Sequence, residues 1–115
     1  MNRIKRTVSF TASADSEAVL MDKGVILGIR IPASFGVASL TLLSCDTSDG
    51  TYDLVTDELD AAITITTNAT TAKMIDLSNI FPLVLGGLGK LNQGYIKFRA
   101  PSSITKSITI YQGGV

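Results

Sequence analysis

The chain has 115 residues, ten Lys/Arg against ten Asp/Glu, no histidine, no tryptophan and one cysteine. That length predicts a single domain, since a typical domain holds about 100–150 residues, and a 45% hydrophobic content suffices for a packed core without disulfide or metal. A net charge of zero with only 17% charged residues argues against a general electrostatic grip on nucleic acid, and for a surface part of which meets another protein.

The first predicted element is Arg3–Ala12. Ile4, Val8, Phe10 and Ala12 fall on one face, with Arg6 interrupting it, and Arg3, Lys5, Thr7, Ser9 and Thr11 fall on the other. Strict alternation of this kind is a half-buried strand. Arg3, Lys5 and Arg6 form the one dense basic cluster. It reads either as a solvated end guarding an edge strand or as an arm for an acidic partner. The decapeptide MNRIKRTVSF lacks the apolar stretch of a signal peptide, and no apolar run approaches the ~20 residues that cross a bilayer. A soluble chain made in the cytoplasm, without membrane contact, is the expectation.

Ala12–Glu17 is read as a polar turn, Ala18–Met21 as a short apolar piece and Asp22–Gly24 as another turn. Val25–Ile31 alternates Val25, Leu27, Ile29 and Ile31 against Ile26, Gly28 and Arg30, a strand near the centre of a sheet that Pro32 ends. After a loop at Ala33–Gly36, the segment Val37–Thr67 reads as a three-stranded meander. In it Leu40 and Leu42 oppose Leu43 and Cys45, and Cys45 is expected to act as a small buried hydrophobe. The loop Asp46–Gly50 is expected to use a positive φ at Gly50, with Tyr52 and Leu54 returning on the core face. Asp57–Asp60 turns the chain again, then Ala61, Ile63, Ile65 and Thr67 start a third strand, with Ala72–Leu77 as its partner.

Ser78–Gly94 is apolar without alternation, and Pro82 with Gly86, Gly87, Gly89 and Gly94 forbids a long regular element. A buried crossing loop is the preferred reading, ahead of a short helical turn or a surface loop packed on another subunit. Two last strands follow, Gly94–Ala100 with Ile96 and Phe98 inward, and Ser107–Gln112 with Ile108 and Ile110 inward, joined by a turn at Pro101–Lys106. Eight or nine short strands at this spacing predict an all-β fold, an antiparallel β-sandwich of jelly-roll type over residues 1–115.

Reactive chemistry finds little support. Without histidine the usual base near neutrality is missing. Asp46, Asp49, Asp53, Asp57, Glu58 and Asp60 supply oxygen ligands, but their spacing does not fit a calcium loop and hairpin acids are commonly solvated. Gly86–Lys90 (GGLGK) fails the phosphate-loop pattern, because Leu91 follows the lysine and Val84 stands at the first glycine. Tyr95, Lys97 and Arg99 make an outward aromatic–cation stripe that could stack bases, although a solvated sheet face is the commoner meaning. No catalytic residue, metal site or cofactor is predicted.

One further signal is a resemblance. Ile29, Ile31, Pro32, Ala33, Phe35, Leu40, Asp49, Gly50, Tyr52, Val55, Asp57, Tyr95, Ile96, Lys97 and Arg99 follow a pattern that resembles small virion structural proteins of tailed phages. The missing glycine after Asp57 and the apolar Phe81–Leu91 segment depart from it. The resemblance implies a β-sandwich subunit without enzymatic activity that decorates or cements the capsid. It also implies the major capsid protein as partner, a homo-oligomer (trimer or dimer), no direct nucleic-acid contact and a place on the virion surface. A tail, baseplate or fibre component is the alternative, and a carbohydrate-binding module a more remote one. Arg3, Lys5 and Arg6, with Phe81, Leu83, Leu85 and Leu88, are the expected contact residues.

Overall fold

The computed structural model describes residues 3–20, 25–56, 59–67, 71–77 and 94–113, and the regular elements among them are all β-strands. In chain order these are β1 (Arg3–Asp15), β2 (Val19–Leu20), β3 (Val25–Ile31), β4 (Ser39–Cys45), β5 (Asp53–Leu54), β6 (Thr64–Thr66), β7 (Lys73–Asp76) and β8 (Tyr95–Gly113). They join in one antiparallel sheet that curls into a half-barrel.

The sheet is built around β8. Tyr111 pairs with Lys5 of β1 on one side and Gly28 of β3 on the other, and Arg99 pairs with Asp15 of β1 and Thr41 of β4. So β1 followed by β2 borders one side of β8, and β3 followed by β4 borders the other. The chain then returns along that second border. Asp53–Leu54 pairs with Leu43–Ser44, Thr64–Thr66 with Ser39–Thr41, and Lys73–Asp76 with Gly28–Ile31.

These runs break at one level of the sheet. Pro101 of β8 has no amide hydrogen to give a ladder. Beside it β1 shifts register between Phe10 and Asp15, with Ala12 at φ 50°, and on the far side Pro32–Ala38 separates β3 from β4. The break lets Phe35 turn inward. It is fully buried and meets Phe10 edge-on, with ring centroids 6.4 Å apart and planes at 67°. The core draws on both ends of β8, through Ile96, Phe98 and Ala100 and through Ile108 and Ile110.

Several expectations change. Pro101–Lys106 does not turn the chain, and the two final strands are one of 19 residues. An exposed proline is tolerated there because the ladder is already interrupted opposite it. Residues 12–15 likewise belong to β1 rather than to a turn. In β3 the buried side chains are Ile26, Ile29 and Ile31, with Gly28 buried as well, while Leu27 is only half-buried. A bulge explains this: Ile26 and Gly28 face successive residues Gln112 and Tyr111, so Leu27 is the extra residue and the facing pattern shifts by one.

The meander is corrected as well. β5 and β6 both pair with β4, and a Thr56–Ala62 bridge closes the excursion between them. One return strand is thus interrupted, in place of two separate strands. The phase of this return also differs, since Val55 packs against the core and Leu54 is 46% exposed. β7 pairs with β3 and not with β6, and Ile75 and Leu77 face inward. Gly50 does not adopt a positive φ; among the described glycines only Gly36 does, at 91°.

Candidate interaction surface

The basic cluster of β1 is divided by the pleat. Lys5 is exposed, whereas Arg6 lies half-buried on the inner side and its Nη1 donates to the Leu20 carbonyl at 3.3 Å. An arginine interrupting an apolar face is accommodated because β2 offers it a backbone oxygen. Among the described residues β1 pairs only with β8, so Arg3 and Lys5 lie on an edge strand. Phe81, Leu83, Leu85 and Leu88 lie outside the described residues, as does the loop they belong to.

The outer face at the start of β8 carries the aromatic–cation stripe. Arg99 Nε donates to Asp15 Oδ1 at 2.7 Å and its Nη2 to Oδ2 at 3.2 Å, a two-point pair. That hydrogen bond holds the Asp15 carboxyl below its ordinary range and the Arg99 guanidinium above its own. Lys97 Nζ sits 4.4 Å from the centroid of the Tyr52 ring, a cation–π contact. The Tyr52 hydroxyl donates to the Ser48 carbonyl at 2.9 Å, and burial, followed by nearby Cys45, pushes its pKa up. Both cations of the stripe therefore have partners within the fold.

Beneath the Asp15–Arg99 pair, buried Ser16 continues the ladder with its side chain. Its amide donates to the Phe98 carbonyl at 2.8 Å, and its hydroxyl accepts from the Phe98 amide at 3.0 Å. This anchors the end of β1 where regular pairing stops.

The loop Asp46–Gly50 is shaped by space rather than by φ. A Cβ on Gly50 would stand 2.5 Å from Thr47 Oγ1 and 2.6 Å from Cys45 Sγ. Cys45 is half-buried on the outer face, 3.8 Å from Thr47 Oγ1, and so is less enclosed than its strand position suggested. Among the described residues no three His, Cys, Asp or Glu side chains gather as a metal site.

Large apolar side chains reach solvent at three margins: Leu59 at 84% exposure in the β5–β6 excursion, beside Leu54, Met74 at 57% on β7, and Ile4 at 38% on β1. Of these, Leu54 is expected on the core face and Ile4 on the face of Val8 and Phe10, and both expectations are corrected, while Met74 carries no expectation. Beside Leu54 it is Val55 that packs on the core, with Ile63, whose amide donates to the Val55 carbonyl. Comparison of the chain with known protein families, with characterised proteins and with solved structures finds no match to any of them.

Proposed function

We propose that this chain is a non-enzymatic structural subunit of a tailed-phage virion, acting as a capsid decoration protein that binds the major capsid protein. The observation that carries the reading is the character of the described surface. Its stripe cations are satisfied internally, while Leu54, Leu59, Met74 and Ile4 are presented outward at strand edges and at the β5–β6 excursion. Such a surface suits docking on protein better than binding phosphate or running acid–base chemistry. The sequence resemblance to small virion proteins supports the choice of partner.

The same proposal includes a sandwich of jelly-roll type. The runs break at one level, and residues from both ends of β8 share one core, as expected if the sheet folds over on itself. Among the described aromatic side chains Phe10, Phe35 and Phe98 are buried, Tyr52 lies under Lys97, and Tyr95 and Tyr111 are half-buried, so no fully exposed ring is offered to a carbohydrate ligand. Many weak copies on a lattice would add up to firm attachment and resist internal DNA pressure.

The test mixes purified protein with expanded capsids of the phage that encodes it. Saturable binding and a raised capsid disruption temperature are expected. Capsids that neither bind it nor gain stability would overturn the reading, and density for the chain in the tail would replace decoration with a tail role.

A further inference from the structure

We infer that two copies of this chain associate head to tail, the acidic β5–β6 edge of one against the basic β1 edge of the next. This inference stands apart from the virion reading. It starts from how unevenly a neutral chain distributes its charge. Residues 31–72 hold six acids and no Lys or Arg, while the first ten residues hold three cations and no acid.

The fold places β1, from the first segment, and β5 and β6, from the second, on opposite edges of the sheet. Among the described residues β1 pairs only with β8, and β5 and β6 pair only with β4, which lies on the other side of β8. On β1 the Ser9 amide and carbonyl are already bonded to Glu17, so among the described residues the stretch left to pair with another chain is Arg3–Thr7, and on the opposite edge it is β5 and β6. One edge exposes Asp49, Asp53 and Asp60 with Leu54 and Leu59. The other exposes Lys5 and Ile4 and follows Arg3 in the chain. The Arg3–Thr7 stretch of β1 and the β5–β6 edge thus join apolar surface to charges of opposite sign, while the Glu17 carboxylate lies farther along the β1 edge, bonded to the Ser9 amide.

Charge also selects the symmetry. A two-fold contact would set acidic edge on acidic edge or basic on basic, and like charges facing across an interface oppose it. A head-to-tail contact satisfies both edges at once and, if the rotation closes, yields a ring. Arg6 takes no part, because its guanidinium is turned inward to Leu20.

The experiment is sedimentation of the full chain, whose monomer mass is 12.1 kDa, with circular dichroism to confirm folding. At about 50 mM salt the wild type is expected to sediment as an oligomer, and at about 0.5 M salt to weaken as screening shortens. R3E/K5E and D49K/D53K should each weaken association at least tenfold, about 1.4 kcal/mol. The variant carrying all four changes reverses both edges and should associate again. A wild type that stays monomeric at low salt, charge reversals that leave the mass unchanged, or a folded four-fold variant that stays monomeric would each overturn the inference.

Discussion

Gly50 shows how one residue type can serve two physical ends. A hairpin glycine suggests a left-handed backbone, yet here the requirement is room for Thr47 Oγ1 and Cys45 Sγ. Gly50→Ala should therefore destabilise by about 1–2 kcal/mol through overpacking. Adding Cys45→Ala and Thr47→Ala should recover most of that loss, read from urea midpoints at constant slope; backbone strain would not be relieved this way. Asp15 supplies a pH signature. Its folded pKa is depressed by Arg99, so its contribution is present above the ordinary value of 3.8 and is lost as pH falls through the folded value. Arg99, raised in turn, stays charged throughout. Because both side chains are partly exposed, Asp15→Asn should cost less than about 1 kcal/mol at neutral pH. That difference should shrink below pH 3.8 and vanish in stronger acid.

At the scale of the element, the sheet depends on what fills its breaks. Phe35 sits in the gap between β3 and β4 and is fully buried against Phe10. Phe35→Ala leaves a cavity that short loop segments close poorly, and should cost about 3–5 kcal/mol in denaturant unfolding. Ser16 plays the polar counterpart, holding the end of β1 to Phe98. Ser16→Ala would strand a buried Phe98 amide, at a cost of about 1–3 kcal/mol, and hydrogen exchange should accelerate there first. Strand faces were legible wherever alternation ran unbroken, as in Val8 with Phe10, Ile96 with Phe98 and Ile108 with Ile110. They were misread at Ile26 and Leu54, where a bulge and an interrupted return shift the phase by one residue.

For the whole molecule, the candidate surface was only partly visible beforehand. Lys5 emerges on an edge as its charge suggested, but Arg6, three residues into the same strand, is claimed by the fold. Leu59 separates stability from association. At 84% exposure it contributes little to the core, so Leu59→Ser should change stability by no more than about 0.5 kcal/mol. Under the edge-to-edge arrangement the same change should weaken self-association measurably in sedimentation.

Composition and alternation by themselves determined that this is an all-β chain, with most strand positions and most inward faces, because a pleated half-buried strand imposes its period of two locally. Only the tertiary structure decided which strands meet. That β7 returns to β3, that β8 runs through Pro101, and that the β1 and β5–β6 edges end on opposite sides of β8 depend on contacts far apart in the chain. No local period carries that information. It comes from burying one shared core around Phe10, Phe35 and Phe98.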